Sequence, residues 1–371
     1  MNLRRLKRFP SPFEVARNFI KYNCFLPIAS KPFLPRAMCV YVTYRCNMRC
    51  RMCGIWKRDS KYSSNELSLE ELDGILSDPL FSRLEFININ GGEPNLREDL
   101  VEIAGLLIDR FPHLKTLTLN SNGLPPDRNV ENMKRIANLC KSKHVQFSVS
   151  ISLHKIGSGY DQIAGIDNAY LKVKAAFDGL KNINQDKNFY VSANCVITSL
   201  NLFNLEEMLS WGENEDIPMN FTLGEMRERF NNLEMAETIN IKEADKKYLI
   251  EFFRRLAKEK RTYLQHALRY IQLANMIENK AKRTLACHYA MGGVTLGSDG
   301  LLYYCKKSKA IGSCRDRSAY DIYFNRNNLE YRERYLIRGE CASCPPNTFN
   351  KIEAEKDLFK IIMFLLFSWN Y

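Results

Sequence analysis

The sequence predicts an α/β protein built on a parallel sheet that curves into an incompletely closed barrel, and three observations carry that expectation. The first is a set of six strand-like stretches: Met38 to Thr43, LEFININ, TLTLN, QFSVSISL, NFYVSANCVI and NFTL. The second is that helical patterns fall between them, near Leu100 to Arg110, near Val130 to Lys141, from Ala169 to Asn182 and from Leu202 to Glu213. A Ser68 and Glu71 capping box opens a further helix through Leu76. Such alternation argues for parallel strands joined by crossover helices.

The third observation is strand parity. In QFSVSISL the positions Gln146, Ser148, Ser150 and Ser152 are polar, and Phe147, Val149, Ile151 and Leu153 are apolar. The same split separates Thr116, Thr118 and Asn120 from Leu117 and Leu119, and Ser192 and Asn194 from Val191, Ala193 and Cys195. Helices cover one face, so the apolar set points at them. The other face is polar and lines a cavity. A closed eight-stranded barrel fills its interior with branched apolar side chains, so a polar interior implies an open barrel holding a large polar ligand.

The chain has 371 residues, enough for one large domain and an appendage. No stretch is long enough to span a bilayer, and the basic N-terminus lacks the apolar segment of a signal peptide. Twelve cysteines in such a chain read as metal chemistry in a reducing cytoplasm. Lys and Arg number 54 against 42 Asp and Glu, a formal charge of +12 that suits an anionic partner without selecting one. Nothing marks a nucleic-acid site. Basic and aromatic residues mix in residues 1–36, with Arg4, Arg5, Lys7, Arg8 and Phe9 among them, and the chain ends in FKIIMFLLFSWNY. Both segments suit peripheral membrane contact or docking on the barrel.

Two motifs carry the chemistry. YRCNMRCRMCGIW places Cys46, Cys50 and Cys53 on one short loop, in Cys-x3-Cys-x2-Cys spacing. Thiolates are the usual ligands of iron-sulfur clusters, and three of them leave one iron of a four-iron cubane open to a small molecule. Structural zinc takes four protein ligands, and no fourth Cys or His lies near in sequence. Downstream, Gly91-Gly92-Glu93-Pro94 follows LEFININ. Two residues without Cβ allow close backbone approach, and a carboxylate can take a charge-assisted hydrogen bond from an ammonium.

Together these motifs resemble those of the radical S-adenosylmethionine (SAM) superfamily, over roughly residues 36 to 230. The resemblance implies that Cys46, Cys50 and Cys53 hold a [4Fe-4S] cluster whose open iron is chelated by SAM. It implies that Gly91, Gly92 and Glu93 hold the methionine amine. Asn120 to Gly123, Ser150, Ser152 and Asn194 match places where relatives touch the SAM ribose and carboxylate. Met52 stands where many relatives have an aromatic residue and would keep an apolar contact to SAM. His154, Glu225 and Arg227, just past strands four and six, are the substrate-side candidates.

A second cysteine group follows a charged helical stretch from Ile241 to about Arg283. Cys287 precedes a hairpin around Ser298-Asp299-Gly300, Cys305 ends it, and Cys341 and Cys344 form a Cys-x2-Cys pair. A zinc ribbon would use such a set. The arrangement also resembles the Twitch form of the SPASM extension, which implies an auxiliary [4Fe-4S] cluster acting as an electron relay. Cys24, Cys39, Cys140, Cys195 and Cys314 read as buried or incidental thiols, with Cys314, between Cys305 and the last pair, placed in sequence to approach the substrate or replace a ligand.

The expected organisation is a basic arm (1–36), a partial (β/α)6 radical SAM barrel (37–230), a helical linker (231–284) and a Twitch-like domain of hairpin and helix (285–371). The resemblance implies reductive cleavage of SAM to a 5′-deoxyadenosyl radical and hydrogen abstraction from a C–H bond. Net oxidation of a small polar or anionic molecule or peptide is expected, with a reduced flavodoxin- or ferredoxin-type protein as electron donor. Peptide maturation is disfavoured by the short N-terminal arm. The alternatives are an epimerase using a cysteine as hydrogen donor, and a non-enzymatic zinc or iron-sulfur module binding RNA or a membrane.

Overall fold

A computed structural model describes residues 12–25, 31–58, 65–183, 188–259, 264–347 and 351–367. Arg4, Arg5, Lys7, Arg8 and Phe9 of the basic arm lie outside the described residues, as do the last four positions. The chain divides into two units, one of residues 34–245 and 293–332, the other of residues 1–33, 246–292 and 333–371.

The larger unit holds a nine-stranded sheet. Its strands are β1 Ala37–Tyr41, β2 Phe86–Asn90, β3 Thr116–Ser121, β4 Gln146–Ser152, β5 Phe189–Ile197, β6 Met219–Leu223, β7 Gly293–Leu296, β8 Leu301–Tyr303 and β9 Gly312–Ser313. They lie in the order β6-β5-β4-β3-β2-β1-β7-β8-β9. Strands β1 to β6 are parallel to their neighbours, and β7 adds in parallel to the free edge of β1. Each expected crossover helix forms, as Leu69–Leu76, Leu100–Arg110, Pro126–Ser142, Ala169–Ile183 and Leu205–Asn214. Both halves of the Ser68 and Glu71 capping box are present. A short helix, Ser158–Ala164, was not legible as a separate element.

Parity settles the two faces. Leu117, Leu119, Phe147, Val149, Ile151, Ala193 and Cys195 are buried beneath the helices. Asn88, Asn90, Thr118, Asn120, Ser148, Ser150, Ser152, Ser192, Asn194, Asn220 and Thr222 are only half-buried on the opposite face. Burying one such apolar side chain stabilises by ~1.5–3 kcal/mol, which fixes each strand's register because a one-residue slip would invert the faces.

One expectation about organisation is corrected here. The hairpin of β7 and β8, turning at Gly300 with φ of 80°, belongs to the barrel's own sheet and not to a separate domain starting at 285. The reason is the uncovered edge of β1, whose N–H and C=O groups β7 satisfies through the Ala37↔Gly293 to Val40↔Leu296 register.

The smaller unit is helical. Helices Lys246–Glu259 and Leu264–Asn279 meet through Phe253 stacked on Tyr270 at 5.6 Å. Buried carboxylates tie its remaining segments together. Asp357 accepts the Ala286 N–H, and Glu353 accepts the N–H of His288 and bonds its ring Nδ1 at 2.7 Å. No described helix is long and apolar enough to cross a membrane.

Candidate functional site

The Cys46 to Cys53 loop leaves the C-terminal end of β1 and is held by backbone bonds from three other places. The N–H groups of Gly92 and Glu93 donate to the carbonyls of Thr43 (2.9 Å) and Arg45 (2.8 Å). Arg49 and Arg51 donate to Ala164 (2.8 Å) and Ile163 (2.9 Å), and Gly54 donates to Phe230 (2.8 Å). The glycines are demanded by this closeness. A Cβ on Gly92 would be driven into the Arg45 carbonyl, and one on Gly54 into that of Asn231.

Cys46, Cys50 and Cys53 are half-buried and lie within electrostatic reach of one another. Burial pushes Cys46 up to about 12, and pushes Cys50 and Cys53 up as well. Three buried thiols of this kind need the positive charge of a metal centre to ionise. That donor set suits an iron-sulfur cluster. Among the described residues no three His, Cys, Asp or Glu side chains converge closely enough to hold one metal ion. Met52 is buried and packs against Ile163 and Ile239.

Glu93 is also built into the protein's own hydrogen bonding. It is fully buried, and its carboxylate accepts from the Asn95 N–H (3.0 Å), Asn95 Nδ2 (2.9 Å), the Ser121 hydroxyl (2.8 Å) and the Asn122 N–H (2.6 Å). Burial raises its proton affinity, and those donors oppose the rise. The side chain is spent on joining the turn after β2 to the turn after β3. Three of these bonds end on Oε1 and one on Oε2, so a further donor would have to approach Oε2. Asn122, so positioned, donates to Asn47 Oδ1 (2.7 Å) and contacts Cys46 Sγ (3.9 Å).

Along the polar face, Asn120, Ser150, Ser152 and Asn194 stand half-buried in two neighbouring rows of the register, Asn120↔Ser150 and Ser152↔Asn194. Asn120 Nδ2 reaches Asn88 Oδ1 at 3.5 Å, and Asn90 Nδ2 donates to the same oxygen at 2.7 Å. Cys39 joins this group, its thiol 3.6 Å from Asn88 Oδ1 and 3.7 Å from Asn90 Nδ2. Cys195 faces the helices, as parity required, and accepts from Asn201 Nδ2 at 3.4 Å. Cys314 lies at the sheet's outer edge, where burial and Asp78 push its thiol up to about 12. The thiol of the polar face is therefore Cys39 and not Cys314, a reversal that the uniformly apolar sequence of β1 concealed.

His154 is buried, and its Nδ1 accepts the Val196 N–H at 3.2 Å while burial lowers it to about 4. It is a neutral brace between β4 and β5. Glu225 and Arg227 are brought together as an ion pair, and Lys307 completes it at 2.9 Å from Glu225. Lys307 lay far away in sequence and gave no signal.

Arg229 was also missed. It sits on the turn Glu228–Phe230, only 6% exposed, with its guanidinium 3.7 Å from the ring centroid of Tyr303 and 5.1 Å from that of Tyr41. The loop after β6 thus reaches β1 and β8, and Asn232 Nδ2 bonds the Met52 carbonyl at 3.0 Å. This loop closes the open side of the barrel beside the cysteine loop.

In the second cysteine group, Cys287, Cys341 and Cys344 belong to the helical unit and Cys305 to the barrel unit. The Arg283 N–H donates to the Ala342 carbonyl at 2.7 Å, bringing the two cysteine segments of the helical unit together. Cys287 and Cys344 lie within electrostatic reach, and burial pushes Cys287 up to about 12.

The Radical SAM superfamily model matches residues 40–211, which include the cysteine loop, the Gly91 to Pro94 turn and β2 to β5. The Fe-coproporphyrin III synthase of Methanosarcina barkeri is 29% identical over 178 residues, 48% of this chain and 41% of that protein. The GTP 3′,8-cyclase of Alkaliphilus oremlandii is 25% identical over 217 residues, 54% of this chain and 65% of that one. The chain thus spans about half the length of these curated relatives. Among solved structures, Streptococcus suis SuiB bound to its precursor peptide SuiA superposes with a TM-score of 0.58, at 14% identity, covering 93% of this chain and 82% of that one. Native anSMEcpe with bound AdoMet gives 0.57 at 17% identity, covering 89% and 98%. The fold is shared with both. The three-cysteine loop, locked to the Gly91 to Pro94 turn at the end of a parallel barrel, falls within residues 40–211, the part of the chain that matches the radical SAM superfamily.

Proposed function

We propose that this chain is a radical SAM enzyme acting on a small polar or anionic molecule or a peptide, with net oxidation as the outcome. The observation that carries the reading is the backbone lock between the cysteine loop and the Gly91-Gly92 turn, set at the end of a polar-faced barrel. A cluster with bound SAM supplies a carbon-centred radical able to take hydrogen from an unactivated C–H bond. Cys46, Cys50 and Cys53 would hold the cluster. Asn120, Ser150, Ser152 and Asn194 offer hydrogen bonds to SAM along one edge of the barrel. Glu93 acts as a positioning residue through Asn95, Ser121 and Asn122. The loop after β6 covers the site and keeps water from the radical.

Cys287, Cys341 and Cys344 would hold the auxiliary cluster and relay the electron left after hydrogen abstraction. Net oxidation follows if that cluster accepts the electron. Cys39, bonded to Asn88 and Asn90, is the thiol an epimerase would need, and uptake of solvent deuterium into product would mark that outcome. A reduced flavodoxin- or ferredoxin-type donor would supply the electron. The peptide-bound SuiB keeps a peptide substrate in view, and the GTP cyclase an anionic one.

Anaerobically reconstituted protein with a strong reductant should release 5′-deoxyadenosine from SAM, and Cys50→Ala should not. Equal release by both proteins would retire the assignment.

A further inference from the structure

Arg229 is as buried as Arg36 and Arg97, yet its chemistry is different. Arg36 is bonded to Glu85, and Arg97 to Asp99 and the Leu67 carbonyl. None of the three nitrogens of Arg229 has an acceptor among the described residues. The tyrosine rings do not supply one. Aromatic faces engage the charge from above the guanidinium plane, whereas its N–H groups point outward within that plane. A fork of in-plane donors matches the paired oxygens of a carboxylate or phosphate.

The surroundings favour the same ligand. Thr295 lies between Cys39 and Tyr303 in register, is fully buried, and its hydroxyl has no partner among the described residues. In the loop that carries Arg229, Arg227 and Lys307 share the carboxylate of Glu225, and Glu228 is exposed to solvent. Asp299 acts on Tyr44 and Tyr303, and its Oδ1 accepts the Leu301 N–H. The turn is fixed to the cysteine loop through Gly54 and Phe230 and through Asn232 and Met52. An anion seated on Arg229 would therefore hold a set position relative to the cysteine loop.

We propose that Arg229, packed on Tyr303 whose register partner is Thr295, is the anchor for a carboxylate or phosphate carried by the substrate. This rests on the radical SAM reading for its meaning, though not for its test. Reconstituted holoprotein would be titrated separately with inorganic phosphate and with acetate, following heat of binding and Tm. Wild type should bind at least one probe saturably and melt higher with it, and the better probe identifies the oxyanion class. Arg229→Met should bind that probe at least tenfold more weakly and show no Tm gain. Without any probe it should melt above wild type, because an unpaired buried charge has been removed; a purely structural arginine would shift Tm downwards. Arg229→Lys, which keeps charge but loses the fork, should bind with intermediate affinity, and it serves if the methionine variant does not fold.

Binding of neither probe by wild type, or equal binding by wild type and both variants, would overturn the anchor. Deoxyadenosine release, measured in the same wild-type preparation, separates the two readings. Arg229-dependent binding without release would retire the enzyme and keep the anchor, and release without Arg229-dependent binding would do the reverse.

Discussion

The two cysteine groups of this chain are held in different ways. Cys46, Cys50 and Cys53 sit on a loop whose backbone is bonded to the turn after β2, the helix Ser158–Ala164 and the loop after β6. Cys287, Cys341 and Cys344 sit on two segments joined by the Arg283 to Ala342 bond, with Arg283 also reaching the carbonyls of Leu285 and Ala286. In the first group the protein determines the thiol positions before any metal arrives. In the second, Cys287 is flanked by the Ala286 and His288 N–H bonds to Asp357 and Glu353, and metal binding would join it more firmly to the Cys341 and Cys344 segment. The difference suits the proposed roles, since a centre that directs a radical needs tighter geometry than one that relays electrons.

The sharpest way to break this comparison is to remove the second group. Replacing Cys341 and Cys344 together should cut iron per chain by about half, on the logic of one cluster per cysteine set, while deoxyadenosine release persists. Unchanged iron, or stoichiometric zinc in protein made anaerobically with ample iron, would remove the auxiliary cluster from the account. Next in size is the lock itself. Gly92→Ala forces the turn away from Arg45 and should lower deoxyadenosine release by at least ~10-fold, the scale that a 1 Å misplacement of reacting groups reaches or exceeds. Near-normal release would show that the cysteine loop does not depend on the close approach.

Glu93→Gln tests the same region from the side chain. An amide nitrogen would face donors where a carboxylate oxygen now accepts, so denaturant unfolding should lose ~1–3 kcal/mol. SAM affinity should weaken only as the loop loosens. A variant of wild-type stability that fails to bind SAM would show a direct contact.

The smallest effect concerns His154, whose ring lies 6.1 Å from that of Tyr160. Its folded value of about 4 lies below the unfolded one, so the unfolded chain takes up the proton first. Stability is therefore full above the unfolded value, near ~6.5, and is lost as pH falls towards 4. Between pH ~7.5 and ~5.5 the loss from this residue should be about 1 kcal/mol, and His154→Asn should abolish that part of the slope. An unchanged slope in the variant would mean that His154 titrates normally.

The barrel and its polar face were legible because alternation in β3, β4 and β5 is strict and each strand buries one face. β1 was less informative. AMCVY is apolar throughout and buried throughout, so it gave no parity, and the orientation of Cys39 emerged only from its pairing with Asn88. The hairpin was read correctly as local structure, but its union with β1 depends on a partner far away in sequence, which no local pattern encodes. Arg229 and Lys307 escaped for a related reason. They lie in loops, where charged residues are ordinary, and their surroundings are assembled from β1, β8 and the turn after β6. Glu93 was found by its motif, although the motif did not reveal that four donors already surround its carboxylate.

The placement of β7 beside β1 also affects how the protein is made. The second edge of β1 is complete only when Gly293–Leu296 has been synthesised, long after Tyr41 has left the ribosome. At a synthesis rate of ~5–20 residues per second, that interval is roughly 10–50 s. Throughout it, an apolar parallel strand presents an open ladder next to the three cysteines. Nascent chains would then be most vulnerable to edge-to-edge association and to oxidation of those thiols before the sheet is finished. Yield of intact protein should accordingly respond to slower translation and to oxygen more than its mature stability would suggest.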